Sequence, residues 1–296
     1  MIVDFHTHVF PNTIASVAIK TLEDRAHIKA YTAGTESALY ASMCDSCVDI
    51  SIVLPVVTNP LKTNHFNDFA AEMNARYAAD CVTVTSTAST NGVQKNSVQT
   101  KKVSGATRYP RIISFAGIHP DTVDIPTVIK DIALRGFKGI KLHPDYQKVN
   151  FDDDRYERIV AEAEKYNLIT VVHAGIDIGL PEPVHCTPKM ARKVIDDVHP
   201  AHLVLAHMGG WKLWDDVERL LVGQNVFFDT AFTDTYLAPE QFVRIVHNHG
   251  AERILFGTDS PWSGQRETIA MINGLPLTAA EKQLILGGNA QRLLNV

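Results

Sequence analysis

Cysteine is scarce in this chain, with 4 residues among 296. That number is too small for the disulfide framework of a secreted domain, and it agrees with a reducing compartment. No stretch approaches the roughly 18 unbroken apolar residues of a membrane span. The opening residues, Met1 to His6, also lack the basic and apolar regions of a signal peptide. We therefore expect a cytoplasmic protein without a membrane partner.

A strong excess of either charge is also missing. The chain has 28 Lys and Arg against 33 Asp and Glu, a net charge of -5. Such a balance does not favour nucleic acid or an anionic membrane surface as a partner. The composition, 45% hydrophobic and 21% charged, excludes disorder, collagen and coiled coil. The expected partner is a small-molecule substrate, and a homo-oligomer stays possible.

Eight short runs of mainly apolar and β-branched residues predict eight strands, separated by segments with helical periodicity. Their starts are about 36 residues apart, the length that a strand, a helix and two loops require. An open doubly wound sheet would look alike locally, but the strand count favours an α/β fold of the (β/α)8 TIM-barrel type, forming a single domain over residues 1–296. The runs are Ile2–Phe5, Ile50–Leu54, Arg111–Ala116, Phe137–Leu142, Leu168–Val172, His202–Ala206, Val226–Asp229 and Arg253–Phe256.

Residues 86–110 interrupt this regular alternation of predicted strands and helices. They are rich in Ser, Thr, Gly and Asn, carry four basic residues and contain no acidic residue. A polar surface excursion is one interpretation; a lid or an oligomer arm that meets an anionic substrate is the other.

Histidines gather where the predicted strands end, since six of the 13 in the chain lie there. In a barrel of this kind the active site forms at the carboxyl ends of the strands. His6 and His8 are two residues apart, so both imidazoles point to the same side of the first strand. With His173 from the fifth strand and Asp259 from the eighth, they supply three nitrogens and one oxygen. This donor set suits Zn²⁺, Mn²⁺, Fe²⁺ or Co²⁺ with one position open for water.

Several motifs together resemble the amidohydrolase superfamily, in particular its amidohydrolase-related branch, which includes aminocarboxymuconate-semialdehyde decarboxylase and resorcylate decarboxylases. The resemblance implies that His6, His8, His173 and Asp259 are metal ligands. It also implies that His207 orients or polarises substrate and water. The motifs are D-x-H-x-H at Asp4 to His8, G-I-K-L-H-P at Gly139 to Pro144, His173, A-H-M-G-G at Ala206 to Gly210, and F-G-T-D-S-P at Phe256 to Pro261.

Lys141 decides the expected number of metals. In binuclear members of the superfamily a carboxylated lysine near this place bridges two metals. We expect one metal per chain, most simply Zn²⁺, with an unmodified Lys141 as a charge partner for substrate or Asp259. Two metals with a carboxylated lysine are the alternative.

Five further residues have expected roles. His119, His143 and His185 are candidates for substrate binding, as is Trp211, which would wall the pocket. Asp4 is expected behind the ligands, where it would orient the first strand or an imidazole N–H.

A metal held by this donor set lowers the pKa of bound water to roughly 7 and polarises a carbonyl group. Asp259 would accept the water proton and His207 would stabilise the oxyanion. The sequence thus predicts a metal-dependent hydrolase of a small carbonyl compound, such as an amide, lactone or cyclic imide. A non-oxidative, metal-dependent decarboxylase or lyase of a small carboxylic acid is the alternative, and a metal-stabilised scaffold without activity is a third.

Overall fold

A computed structural model describes residues 1–78, 109–180 and 182–296 of the chain. The polar segment 86–110 lies outside the described residues except for residues 109 and 110, so both interpretations of it remain predictions. No helix in these described ranges is long and apolar enough to span a membrane.

The strands are short and pair in parallel in chain order. Each of the eight predicted runs coincides with a strand to within about two residues, and the third is divided at Phe115. The strands are β1 (Val3–Thr7), β2 (Ile50–Val53), β3 (Arg111–Ser114), β4 (Ala116–Gly117), β5 (Gly139–Leu142), β6 (Ile169–Val172), β7 (Leu203–Leu205), β8 (Phe227–Asp229) and β9 (Ile254–Leu255).

Backbone hydrogen bonds join the last strand to the first. The Phe5 N–H donates to the Phe256 carbonyl at 2.7 Å, and the Asp259 N–H donates to the His6 carbonyl at 2.8 Å. The segment after β9 therefore pairs with β1 and closes the sheet into a ring, with β3 and β4 acting as one strand. The predicted (β/α)8 barrel is confirmed, and an open sheet is excluded.

Helices follow the strands and cover the outside of the barrel. Their starts match local signals: Thr187 caps α7 ahead of Pro188, and Thr278 with Glu281 forms a capping box at α11. The helices are α1 (Ala15–Ala26), α2 (Glu36–Ser46), α3 (Thr63–Tyr77), α4 (Ile125–Leu134), α5 (Pro144–Gln147), α6 (Asp154–Glu164), α7 (Pro188–Val198), α8 (Trp214–Leu220), α9 (Pro239–His249), α10 (Gln265–Gly274), α11 (Ala279–Gln283) and α12 (Asn289–Leu294).

An irregularity in β1 sets the direction of its side chains. Asp4 pairs with Ser51 but Thr7 pairs with Val53, so β1 contains one residue more than β2 over the same length. The adjacent residues Phe5 and His6 consequently both face the barrel interior. Phe5 packs edge-on against Phe115 in the core, whereas His6 lines the cavity above it.

The barrel interior is divided into an apolar end and a polar end. Apolar side chains from alternate positions, such as Ile50 and Ile52 of β2 and Ile169 and Val171 of β6, fill the amino-terminal end, and Leu294 of α12 packs beneath them. A larger apolar layer lies between the sheet and the helices. The carboxyl ends of the strands are thereby left to carry polar side chains on a rigid base.

Candidate active site

Three side chains meet at the carboxyl ends of β1 and β9. The His6 Nε2 lies 3.2 Å from the His8 Nε2. The Asp259 Oδ1 lies 3.3 Å from the first of these nitrogens and 3.0 Å from the second. Three of the four ligands expected from the sequence are therefore within reach of one ion.

The hydrogen bonds on the far side of each ring fix which nitrogen is free. The Nδ1 of His6 lies 2.8 Å from the Asp229 Oδ2, and the Nδ1 of His8 lies 2.8 Å from the Leu54 carbonyl oxygen. Because both oxygens only accept, each Nδ1 carries the proton and each Nε2 presents a lone pair. Burial keeps the pKa of His6 well below its usual value, so this ring is neutral.

Two imidazole nitrogens and a carboxylate oxygen thus converge, and the Lys141 Nζ lies 3.3 Å from the first of these nitrogens. Such a group of closely spaced acceptor atoms is suited to a cation held among the three. A metal held through Nε2, with Nδ1 donating to a carboxylate or a carbonyl, is the usual form of a histidine metal site. The donor set at His6, His8 and Asp259 fits a divalent transition metal.

His173, the fourth expected ligand, lies in an adjoining group. Its Nδ1 is 3.0 Å from the Nε2 of His207, whose own Nδ1 donates to the Ala231 carbonyl at 2.9 Å. The Nε2 of His173 therefore carries a lone pair and no proton. It is one of three buried side-chain atoms of the described residues without a hydrogen-bond partner. It faces the Oδ2 of Asp145, another of the three, at 3.9 Å.

His173 also belongs to a second set of candidate ligands. The ring of His143 stacks on that of His173 with centroids 4.1 Å apart, and the His143 Nε2 lies 3.3 Å from the Asp177 Oδ2. Ligand atoms of these three residues lie within 4.8 Å of one another. His207 connects the two sets, since its ring centroid is 5.2 Å from that of His6 and 4.7 Å from that of His173.

Lys141 of β5 brings a buried amine to the first set. Its Nζ lies 3.3 Å from the His6 Nε2, and the residue is 1% exposed. Burial lowers the pKa of Lys141 to about 8, while Asp229 and Asp259 act in the opposite direction. A positive charge is thus available beside the candidate metal ligands at neutral pH.

A cavity of about 640 Å³ opens above these groups. Its floor is polar and consists of His6, His8, Lys141, His143, His173, Asp177, His207 and Asp259. Its walls are mostly apolar and include seven aromatic side chains, which are Phe10, Phe66, Phe69, Tyr146, Trp211, Phe232 and Trp262.

The remaining candidates lie in different places. Trp211 lines the cavity, but His119 and His185 do not. The Nδ1 of His119 accepts the Asp121 N–H at 3.1 Å, and the Nδ1 of His185 lies 3.2 Å from the Asp145 Oδ1. His119 is thus held by a neighbour in the chain, and His185 is held by Asp145, which separates it from His173 of the floor.

Asp4 ties β1 to the segment after β9. It accepts the Thr258 N–H at 3.0 Å, the Thr258 hydroxyl at 2.7 Å and the Gln265 amide at 2.8 Å, and burial raises its pKa to about 7. It therefore orients the first strand, which is one of its two expected roles. The imidazole partner is Asp229 instead.

The sequence predicts no role for Asp229 or Asp145. A signal for Asp229 existed, because it is the polar residue that ends the predicted strand Val226–Asp229, but nothing in the sequence connects it with His6. Asp145 follows His143 and Pro144 in the chain and had no periodic or motif signal of its own.

Comparison with known proteins identifies the family but not the activity. The model of the family described as Amidohydrolase matches residues 3–296, whereas no curated protein matches significantly. A 2,6-dihydroxybenzoate decarboxylase from Rhizobium is 17% identical, with a TM-score of 0.68 and coverage of 99% of this chain and 98% of that one.

Two further solved structures are similar. A 5-carboxyvanillate decarboxylase from Novosphingobium aromaticivorans, complexed with manganese and 4-hydroxy-3-methoxy-5-nitrobenzoic acid, is 14% identical, with a TM-score of 0.68 and coverage of 100% and 96%. An uncharacterised TIM-barrel protein from Bordetella bronchiseptica is 15% identical, with a TM-score of 0.72 and coverage of 99% and 98%. Identities this low support the fold alone. Since the family model spans residues 3–296, the chain belongs to the amidohydrolase family.

Proposed function

We propose that this protein is a metal-dependent, non-oxidative decarboxylase of a small carboxylic acid. The observation that carries the proposal is the division of the cavity into a polar floor, which holds the candidate metal ligands and Lys141, and apolar, aromatic walls. A carboxylate and a neighbouring hydroxyl group fit the floor, and the ring of an aromatic acid fits the walls. Decarboxylases with this fold, one of them solved with manganese, support the choice of reaction and metal.

His6, His8 and Asp259 would hold the metal, with His173 as the further candidate ligand. A divalent cation there supplies positive charge that binds and polarises the oxygens of the acid. Zn²⁺ and Mn²⁺ both suit the nitrogen and oxygen donors. One metal per chain is the simplest occupancy, and the group of His143, His173 and Asp177 offers a place for a second.

The protein side chains have two tasks in this reaction. Lys141 adds a buried positive charge where the acid would bind, which favours an anionic substrate over a neutral one. The bond between the ring carbon and the carboxyl carbon breaks, its electron pair stays on the ring carbon, and CO₂ leaves. A proton must then take the place of CO₂. Asp259, whose pKa is lowered by His6 and His8, would first take this proton from the hydroxyl group of the acid or from water and then pass it to the ring carbon, with His207 orienting the acid.

Hydrolysis, the first expectation from the sequence, is the second candidate and uses the same residues. Burial would raise the pKa of Asp259, but His6 and His8 outweigh burial and lower it. An ionised carboxylate can accept the proton of a metal-bound water, as hydrolysis of an amide, lactone or cyclic imide requires.

Product analysis separates the two reactions. Protein loaded with Zn²⁺ or Mn²⁺ is incubated in ¹⁸O-labelled water with a panel of ortho-hydroxybenzoates, lactones and cyclic imides. Decarboxylation releases CO₂ and leaves a product that has gained a hydrogen and no ¹⁸O. Label in the carboxylate of the product, without release of CO₂, would reject the decarboxylase proposal in favour of the hydrolase.

A further inference from the structure

The cavity is larger than a simple hydroxybenzoate requires. A compound with about a dozen non-hydrogen atoms, at roughly 30 Å³ for each water-sized atom, fills little more than half of the 640 Å³. The remaining space lies beside mainly apolar side chains, because most of the lining residues outside the floor are apolar. The space above the floor therefore matches an apolar group better than it matches water.

Helix α1 provides one apolar wall. Ala18, Leu22 and Ala26 follow each other at intervals of four residues and line the cavity on one face of the helix. They are half-buried, whereas Ala15 and Ile19, which lie on the same side of the helix, are buried. The cavity-lining face of α1 is thus apolar although its side chains are not buried by the described residues.

Aromatic side chains of two other segments extend this wall. Phe10 precedes α1, and Phe66 and Phe69 belong to α3; all three are half-buried and line the same cavity. We define the apolar wall as Phe10, Ala18, Leu22, Ala26, Phe66 and Phe69. An apolar surface that is continuous with a polar site marks a place for an apolar part of the ligand.

We propose that the substrate carries an extended apolar substituent, an alkyl or aryl group, that packs against the apolar wall while its carboxylate lies at the floor. This inference rests on the proposed function and specifies its substrate class. In a 2-hydroxybenzoate held by its carboxylate and hydroxyl oxygens, ring positions 4 and 5 point away from the floor. A substituent at either position would extend along the cavity.

Calorimetric titration of the zinc-loaded protein tests this directly. The ligands are 2-hydroxybenzoate, its 4-hexyl and 5-hexyl derivatives, and the 4- and 5-(5-carboxypentyl) derivatives. Each buried methylene tightens binding by about fourfold at most. We expect at least one hexyl acid to bind at least about tenfold more tightly than 2-hydroxybenzoate. A gain below threefold for both hexyl acids overturns the proposal. So does tighter binding of the carboxypentyl acids, which would instead indicate an anionic substituent near the exposed rim residues Lys62 and His65.

A matched pair of variants locates the effect on α1. Ala18→Phe places a ring in the space beside the wall, and the ratio of hexyl to parent affinity should fall below threefold. Ser16→Phe adds the same ring to an exposed position of α1 that does not line the cavity, and should keep the ratio. If circular dichroism shows that Ala18→Phe does not fold, Leu22→Asn replaces it, since an amide of similar size should also lower the ratio. An unchanged ratio in a folded wall variant overturns the proposal.

The binding test can fail or succeed independently of the test for decarboxylation. Tight binding of the hexyl acid without release of CO₂ supports the apolar wall and contradicts the decarboxylase. Release of CO₂ from 2-hydroxybenzoate without any gain from the hexyl group supports the decarboxylase and contradicts the wall.

Discussion

The carboxylate of Asp229 holds the imidazole of His6 from behind, with 2.8 Å between Oδ2 and Nδ1. The other oxygen, Oδ1, accepts the backbone N–H of His207 at 2.9 Å and that of Ala231 at 3.1 Å. One buried carboxylate therefore orients a candidate metal ligand from β1 and the backbone of the segment that carries His207. All three donors require an acceptor, and the residue supplies no donor in return.

Asp229→Asn should weaken metal binding by about 10- to 100-fold, as is typical when the partner behind a histidine ligand is changed. The amide nitrogen must point either at the protonated Nδ1 of His6 or at the two backbone N–H groups, so one donor faces another. Competition with a chelator of known affinity measures the loss of zinc. Asp216→Asn, at a partly exposed position outside the cavity lining, is the control and should bind zinc like the wild type. Wild-type affinity in the Asp229 variant would refute the role of this contact.

Metal content tests the ligand set itself. After loading with excess Zn²⁺ and gel filtration, elemental analysis should give about one metal per chain in the wild type and close to none in His8→Ala. His65→Ala is the matched control, since His65 lines the rim of the cavity and belongs to neither candidate ligand group. Full retention of zinc in His8→Ala would contradict the site.

Because there is a second set of candidate ligands, the number of metals per chain must be measured. With one metal and an unmodified lysine, native mass spectrometry should show no added CO₂ on Lys141, and Lys141→Met should keep its zinc. Two metals per active chain, together with a CO₂ adduct and activation by bicarbonate, would instead assign a bridging, carboxylated Lys141. His143→Ala would then be expected to lose part of the metal.

Gly175 is placed where no side chain fits. Its φ is +88°, and a Cβ atom would lie 2.1 Å from the backbone nitrogen of Trp211, which pairs with this residue across the strand ends. Gly175→Ala should therefore lower the free energy of unfolding by more than about 2 kcal/mol and displace Trp211. Gly223→Ala is the control, because its φ is +83° but nothing lies within 4 Å of the added Cβ. That variant should lose about 1 kcal/mol, from backbone strain alone. Urea unfolding and tryptophan fluorescence measure both, and equal losses would contradict the steric argument.

His249 should make the protein sensitive to acid. Its Nε2 donates to the Val226 carbonyl at 2.9 Å, its Nδ1 accepts the Gly223 N–H at 3.1 Å, and its ring stacks on Phe228. Burial lowers its pKa from 6.5 to about 4, so between these values the unfolded chain binds the proton more readily than the folded one. The free energy of unfolding that the neutral ring of His249 contributes is complete above pH 6.5 and is lost as the pH falls toward 4. The loss amounts to about 3 kcal/mol.

Urea unfolding at pH 7.5 and pH 4.5 measures this loss. In His249→Gln the difference in unfolding free energy between the two pH values should shrink by about 2 to 3 kcal/mol. His247→Gln, at an exposed position of the same helix, should keep the wild-type difference. The same pH difference in His249→Gln and wild type would show that this ring does not carry the effect.

Local pattern in the sequence determined the barrel and much of its polar end. Alternating and continuous apolar runs specify parallel strands, and parallel strands bring their carboxyl ends to one face. The sequence therefore predicts that His6, His8 and Asp259 are neighbours, although the last two are 251 positions apart. The sequence also predicts helix starts at Thr187 and Thr278, because an N-cap acts within one turn of the helix.

Only the tertiary structure decided which side chains contact and orient one another. The contact between His6 and Asp229 spans 223 positions in the chain and depends on the closure of the ring and on the extra residue in β1. The same packing directs His119 and His185 to partners outside the cavity lining and places His173 beside His207 and His143. The half-buried face of α1 above the floor follows from how the helix docks after β1. Such relationships depend on side-chain direction and long-range packing, which no local periodicity records.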